Sequence, residues 1–239
     1  MIRPARWVST YLENLVYTGR HSSQCPLCLA PAQAGRLCLA CLRALPRMGF
    51  TCRTCALPLP FDAKACGRCQ QNMPAFDRVV TACPYTFPVD TMIGRFKFQG
   101  QQAMARPLIA LLGNDLKQCS DPKPDILLPC PMHPARYRAR GFNQAAIIAY
   151  ELGRALQIPV DYQLCRRSAA TRPQIRLDRK ARLKNLAGAF VVNGRPPPHV
   201  AIVDDVVTTG ATAQQLAKTL KAQGALTVSV WALARTPMR

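Results

Sequence analysis

The sequence predicts an α/β fold in which a mostly parallel sheet follows a small cysteine-rich module. Beyond residue 76, short apolar runs alternate with segments whose apolar residues recur at helical spacing, the pattern of parallel strands joined by helices. Between residues 25 and 69 cysteine is dense and long apolar runs are missing, so this stretch cannot fold on a hydrophobic core alone. The predicted boundaries are an N-terminal helix over 1–24, a zinc-binding module over 25–75 and the larger domain over 76–239.

Each element of the larger domain is predicted from its periodicity and from the residues at its ends. Asn143 precedes an apolar helical face and is a typical N-cap, while Gly224 is a typical C-terminal stop. In chain order the predicted elements are a strand in 76–85, helical spacing over 108–112, a strand over 125–128, a helix after Asn143, an edge strand over 159–164, a strand over 200–203, a helix over 213–222 and a strand over 227–233.

Eight of the twelve cysteines form four Cys-x-x-Cys pairs separated by 9, 10 and 10 residues. Each pair supplies two thiolates from one tight turn, and two pairs complete a tetrahedral zinc site. The N-terminal residues do not resemble an export signal, so we expect a reducing compartment in which metal is favoured over disulfides. The sequence therefore predicts two structural zinc sites, with the ligands Cys25, Cys28, Cys38, Cys41, Cys52, Cys55, Cys66 and Cys69.

Spacing alone does not choose how these pairs combine. Consecutive pairing joins the first pair to the second and the third to the fourth, whereas a cross-brace joins alternate pairs. We favour consecutive pairing, and we interpret the four pairs as a repeat of ligands rather than of a fold.

The most informative motif follows the apolar strand at 200–203. Asp204 and Asp205 come next, and a loop of small and hydroxyl residues then opens a helix. Free N–H groups at a helix N-terminus bind phosphate, and Gly210 allows the close approach of a ligand. The carboxylates suit hydroxyl groups or a metal ion bound to them, so the motif favours a ribose phosphate.

This stretch resembles the phosphoribosyl-pyrophosphate (PRPP) motif of type I phosphoribosyltransferases at every position. The resemblance implies a type I phosphoribosyltransferase-like sheet, with Asp204 and Asp205 as candidate catalytic residues that bind the ribose hydroxyls directly or through Mg²⁺. It also implies a loop for the 5′-phosphate, formed by Thr208, Thr209, Gly210, Ala211 and Thr212.

Positive charge is in large excess, with 32 Lys and Arg against 12 Asp and Glu. Such an excess indicates a polyanionic partner. Arg136, Arg138 and Arg140 follow a strand end and a proline-rich turn, and we expect them to bind the pyrophosphate of PRPP. A second basic segment carries more cations than one sugar phosphate requires, and we assign it to nucleic acid. Its residues are Arg166, Arg167, Arg172, Arg176, Arg179, Lys180, Arg182 and Lys184.

Taken together, these motifs resemble the ComF family of competence-associated, phosphoribosyltransferase-like proteins. The eight paired cysteines and the closing segment at 230–235 are similar to its GntX branch, which is linked to the use of DNA as a nutrient. Further matching segments are Pro74-Ala75-Phe76-Asp77-Arg78, Phe96-Lys97-Phe98, Arg140-Gly141-Phe142-Asn143-Gln144-Ala145, Thr171-Arg172-Pro173-Gln174, Arg182-Leu183-Lys184-Asn185-Leu186 and Ala189-Phe190.

The resemblance implies the handling of incoming single-stranded DNA, with partners among DNA-uptake, helicase or recombination proteins. Two alternatives stay open: an active phosphoribosyltransferase with an unknown acceptor, and a zinc-supported scaffold without a small ligand. No apolar run is long enough to span a membrane. We therefore expect a cytoplasmic protein, with association at the inner face of the membrane as an open alternative.

Overall fold

The computed structural model describes residues 24–33, 36–168 and 188–237. Its chain divides into two compact units, Met1–Arg43 and Ala44–Arg239. The division falls between the two halves of the cysteine-rich segment, so the third and fourth cysteine pairs belong to the same unit as the sheet. The predicted N-terminal helix lies outside the described residues apart from Gln24.

The larger unit contains a four-stranded, fully parallel sheet, which confirms the predicted α/β class. Its spatial order is β1-β6-β5-β2, and a separate two-stranded antiparallel sheet pairs β3 with β4. The strands are β1 (Arg78–Pro84), β2 (Ile126–Pro129), β3 (Cys165–Arg167), β4 (Phe190–Val192), β5 (His199–Val207) and β6 (Thr227–Arg235).

Seven helices occur among the described residues. They are α1 (Leu39–Arg43), α2 (Gly67–Gln71), α3 (Val89–Gln99), α4 (Gln102–Gln118), α5 (Pro134–Arg140), α6 (Gln144–Leu156) and α7 (Ala211–Ala222). Helix α6 begins as predicted, because the Asn143 side chain accepts a hydrogen bond from the Ala145 N–H. The two central strands are buried along nearly their whole length, as expected for a parallel sheet covered on both faces.

Strand β5 is longer than predicted and includes the two aspartates. Asp204 pairs with Ala232 and Val207 with Arg235 in the ladder with β6, so the strand continues four residues past Val203. Aspartate disfavours strands locally, but here the pairing with a central neighbour overrides that preference. Helix α7 correspondingly begins at Ala211, two residues earlier than predicted.

The predicted edge strand over 159–164 is wrong. Its contact with the sheet is a single bridge between Val160 and Leu127. The Asp161 carboxylate then accepts the N–H groups of Gln163 and Leu164, at 2.8 and 2.9 Å, and turns the chain away from the sheet. The aspartate side chain thus competes with the ladder for the backbone donors.

The turns at residues 25–28 and 52–55, called here the first and second cysteine turns, are built alike. This differs from the interpretation that only the ligands repeat. In each turn the second cysteine precedes a residue with positive φ, Leu29 (64°) in one and Ala56 (52°) in the other. The N–H groups of these residues donate to the carbonyls of Cys25 and Cys52, at 2.9 and 2.8 Å. A short helix follows the third cysteine in both cases, α1 and α2 respectively, so each half is a repeated supersecondary unit.

Candidate functional site

The carboxyl ends of the parallel strands meet at one edge of the sheet, where β5 carries the two aspartates. Asp205 is 6% exposed, whereas Asp204 is partly exposed. Successive residues of a strand point to opposite faces of the sheet, which gives the two carboxylates different surroundings. Lys97 contacts Asp205 directly and also interacts electrostatically with Asp204, and Arg167 interacts with Asp204 as well.

Helix α3 supplies the cation that neutralises Asp205. The Lys97 ammonium lies 3.0 Å from one carboxylate oxygen and 2.8 Å from the other. Gln144 holds the end of α3 in place, because its Nε2 donates to the Lys97 carbonyl at 3.2 Å. Arg140 donates to the Oε1 of the same glutamine at 3.3 Å and interacts electrostatically with Asp205. These contacts join α3, α5 and α6 around one carboxylate.

The pKa of Asp204 is raised to about 7 by removal from water and by the neighbouring charge of Asp205. Its own oxygen accepts the Asp205 N–H at 2.9 Å. The buried thiol of Cys130 interacts with Asp204, and burial raises the pKa of that thiol well above its usual value. Ionisation of Asp204 beside Asp205 is therefore unfavourable unless a cation or a hydrogen-bond donor stabilises the second negative charge.

The predicted phosphate loop joins β5 to α7. Thr208 is exposed, and Gly210 adopts a left-handed conformation with φ 76°, which favours glycine because a side chain would be strained there. The hydroxyl of Thr209 lies 3.4 Å from the Ala211 N–H. Since α7 has twelve residues, its free N–H groups and its dipole present a partial positive charge at this point.

Arg235 holds the start of this loop against the second cysteine turn. Its side chain is buried, with 4% of the residue exposed. The Nε donates to the Cys55 carbonyl at 2.9 Å, and Nη1 donates to the carbonyls of Val207, Thr208 and Thr236. One guanidinium thus connects the metal-binding turn with the phosphate loop.

The three arginines predicted for pyrophosphate lie on the short helix α5 rather than in a loop. Arg136 and Arg140 are four residues apart and share a helix face, while Arg138 is two residues from each and lies on the opposite face. Arg136 is exposed and interacts electrostatically with both Arg140 and Arg167. Positive charge from α5 and β3 therefore converges beside the aspartates.

The basic segment assigned to nucleic acid is described in part. Arg166 is exposed on β3, and the Arg167 guanidinium lies 5.7 Å from the centre of the Phe190 ring. The buried Nε of Arg167 has no acceptor among the described residues. The other assigned residues lie outside them, namely Arg172, Arg176, Arg179, Lys180, Arg182 and Lys184.

The cysteines form two compact clusters with the consecutive pairing favoured from sequence. The first contains Cys25, Cys28, Cys38 and Cys41, and the second contains Cys52, Cys55, Cys66 and Cys69. Within each cluster all four sulfur atoms lie within 4.8 Å of one another.

The sulfur spacing fits zinc. A tetrahedral site with Zn–S bonds of about 2.3 Å requires sulfur atoms about 3.8 Å apart. The measured separations are 3.6 Å for Cys28 and Cys38 and 3.7 Å for Cys55 and Cys66, far longer than a disulfide bond. Both clusters can therefore hold structural zinc.

The thiols in each cluster divide into acidic and weakly acidic members. Burial opposes ionisation of Cys25 and Cys52, but hydrogen bonds from backbone N–H groups lower their pKa to about 6 and about 7. The pKa of Cys41 is raised, chiefly by its hydrogen bond with Cys28, and burial raises that of Cys69. Without a metal ion, four neighbouring thiolates repel one another, and a divalent cation removes this repulsion.

Sequence reasoning missed three residues of this site: Lys97, Gln144 and Arg235. Lys97 and Gln144 stood within segments quoted for the family resemblance, but no local pattern indicated which carboxylate or carbonyl they would meet. Arg235 ends a strand whose apolar periodicity gave no sign of a buried charge. All three act through contacts between segments far apart in the chain.

Comparison with known proteins places this chain among competence and DNA-utilisation proteins. Competence protein F of Haemophilus influenzae is 37% identical over 170 residues, 68% of this chain and 74% of that protein. The DNA utilization protein YhgH of Shigella flexneri is 36% identical over 222 residues, 89% of this chain and 96% of that protein. Competence protein ComFC of Streptococcus pneumoniae is 26% identical over 152 residues, 63% of this chain and 65% of that protein.

Among solved structures, the purine phosphoribosyltransferase from Pyrococcus horikoshii matches with a TM-score of 0.35 and 20% identity, over 55% of this chain and 82% of that one. No protein-family model matches the chain. Within the described part of the chain, no helix is both long and apolar enough to cross a membrane.

Cys69→Ser is expected to remove one of two zinc ions, because it deletes a ligand of the second cluster. Metal analysis should find two zinc ions per wild-type chain and one in the variant, and chemical denaturation should show a loss of several kcal/mol. Cys119→Ser, outside both clusters, is the matched control and should retain two ions. Two zinc ions in Cys69→Ser would contradict the assignment.

Arg235→Lys is expected to lower the free energy of unfolding by about 2 kcal/mol, because one ammonium cannot serve carbonyls on both the cysteine turn and the loop. Chemical denaturation of the zinc-loaded protein measures the change. Arg106→Lys alters an exposed arginine on α4 and should change stability by less than about 0.5 kcal/mol. Equal stability of the two variants would argue against the connection.

Asp204→Asn is expected to stabilise the protein at alkaline pH. Because the folded-state pKa is about 7, against an ordinary value near 4, the folded protein holds a proton that the unfolded chain releases between those pH values. Wild-type stability therefore falls as pH rises from about 4 to 7, and the variant should exceed it by about 1 kcal/mol or more at pH 8. The exposed Asp62→Asn is the control, and parallel pH profiles for wild type and Asp204→Asn would refute the expectation.

Proposed function

We propose that this chain, which belongs to the ComF family of competence and DNA-utilisation proteins, handles single-stranded DNA and binds PRPP with Mg²⁺ at the carboxyl edge of its sheet. One observation carries the proposal: two adjacent aspartates are surrounded by Lys97, Arg140 and Arg167 and are followed at once by a phosphate-type loop. A ligand that needs carboxylates, cations and a helix N-terminus together is a polyphosphorylated sugar.

Each part of PRPP has residues whose chemistry suits it. Asp204 and Asp205 would hold the ribose hydroxyls, or a magnesium ion bound to them, since carboxylate oxygens are the ligands this hard cation prefers. The loop from Thr208 to Thr212 and the N–H groups of α7 would hold the 5′-phosphate. The aspartates by themselves repel the phosphate groups. A bound magnesium ion would neutralise part of the phosphate charge and so reduce this repulsion.

Lys97 would change partners when the ligand arrives. Its ammonium contacts both oxygens of Asp205. A phosphate oxygen offers it a competing partner of higher charge, and its departure would free Asp205 for a hydroxyl or a magnesium ion. Arg140 and Arg136 would complete the cationic side of the site, where the pyrophosphate group needs several donors.

The DNA role rests on charge as well as on family membership. A formal charge of +20 exceeds what one sugar phosphate requires, and the exposed Arg166 adds positive charge to the surface at β3, next to Arg167. We propose that single-stranded DNA follows this surface in the bacterial cytoplasm, in contact with proteins of DNA uptake or recombination.

Calorimetric titration with Mg–PRPP tests the pocket. Wild type should bind, and Asp205→Asn should bind roughly 10-fold to 100-fold more weakly, because it loses a charge-assisted contact. Asp62→Asn, an exposed aspartate elsewhere in the larger unit, should bind as wild type does.

Unchanged affinity in Asp205→Asn would reject the assigned pocket. Release of pyrophosphate in the same cell, on addition of a nucleobase or an amine, would make the protein an active phosphoribosyltransferase. For the DNA role, log affinity for a single strand should fall with log salt concentration by about 0.7 per phosphate contact, and a salt-independent affinity would reject it.

A further inference from the structure

Phe98 is an exposed aromatic ring next to the site formed by Asp204 and Asp205, which we call the acid-pair site. It lies on the last turn of α3, one residue after the lysine that contacts Asp205, and it is 74% exposed. Exposing a large ring has no folding benefit, because the apolar area gains nothing by remaining in water. Several other phenylalanines are also exposed, however, so exposure alone indicates little.

What distinguishes Phe98 is its cationic neighbour. The guanidinium carbon of Arg140 lies 5.0 Å from the centre of the ring and covers one of its faces. The same guanidinium interacts electrostatically with Asp205 and donates to Gln144, which in turn holds the Lys97 carbonyl. A continuous set of contacts therefore links the ring to the residues assigned to the ribose phosphate.

The ring is held on a rigid support. Phe96, two residues earlier and on the other side of α3, is fully buried and lies 5.9 Å from the Phe142 ring, centre to centre. Gly100 ends α3 in a left-handed conformation, and a side chain added there would contact Phe142. The segment that carries Arg140 is thus packed against the segment that carries Phe98.

We propose that Phe98 stacks an unpaired nucleobase of a strand that passes the acid-pair site, while Arg140 supports the opposite face of the ring. The inference rests on the DNA half of the proposed function and adds a residue and a mode of recognition to it. One face of the ring is occupied by the guanidinium and the other is open, which is the arrangement of a stacking platform in a positively charged groove. Any base can stack there, so the contact tolerates different sequences.

The test separates base contacts from phosphate contacts. Binding is measured by fluorescence anisotropy with a labelled oligothymidylate and with an abasic oligonucleotide that carries the same number of phosphates. Phe98→Ala should lower affinity for the oligothymidylate by roughly 5-fold to 100-fold and leave affinity for the abasic strand unchanged. Phe98→Tyr keeps a stacking face and should restore the affinity.

Phe61→Ala is the matched control, because Phe61 is 64% exposed in the loop of the second cysteine cluster. It should not change binding of either strand. Since the Phe98 side chain projects into solvent, Phe98→Ala should melt as wild type does, and circular dichroism checks this.

Three outcomes overturn the inference: wild-type affinity for oligothymidylate in Phe98→Ala, equal loss of affinity for both strands, and an equal effect of Phe61→Ala. Failure of the proposed DNA role gives a different result, since wild type would then bind neither strand.

Thymidine 5′-monophosphate is the third ligand. Weaker binding of it by Phe98→Ala shows that one nucleotide suffices for stacking, and an effect confined to the strand shows that stacking requires neighbouring phosphates.

Discussion

The buried guanidinium of Arg235 is the interaction on which the arrangement of the site depends most. A charge removed from water is costly unless its donors are satisfied, and burial lowers the pKa of this arginine. Here the donors meet carbonyls of Cys55, Val207, Thr208 and Thr236. Those carbonyls belong to the second cysteine turn, to the end of β5 and to the segment after β6. The position of the phosphate loop is therefore coupled to a metal-binding turn more than 150 residues away in sequence.

Repulsion between the two adjacent carboxylates is the second feature that shapes the site. Two adjacent carboxylates on one strand repel each other, and burial together with this repulsion raises the pKa of Asp204 to about 7. Lys97, Arg140 and Arg167 approach from α3, α5 and β3, which are separate segments brought together at one edge of the sheet. Opposite charges therefore lie side by side at this edge, where the cations offset part of the repulsion between the carboxylates.

Local patterns in the sequence predicted what is local in the structure. The cysteine pairs, the capped helix after Asn143 and the acid–loop–helix motif depend on residues close together in the chain, and the structure contains all of them. The extension of β5 through Asp204 and Asp205 required knowledge of its neighbour β6. The prediction of an edge strand over 159–164 was wrong because the Asp161 side chain accepts hydrogen bonds from the Gln163 and Leu164 N–H groups. Lys97, Gln144 and Arg235 could not be assigned, because each has a partner 47 to 180 residues away in the chain.

The two cysteine units have the same internal design but different surroundings. The first lies in the smaller unit, where Cys25 and Leu37 are buried among the described residues. The second is part of the larger unit and is joined to the sheet, because the Val79 N–H donates to the Thr54 carbonyl and Arg235 donates to the Cys55 carbonyl. The sheet therefore helps to hold this turn, and Arg235 connects the turn to the phosphate loop. Two copies of one structural unit thus differ, among the described residues, in how much of the sheet helps to hold them in place.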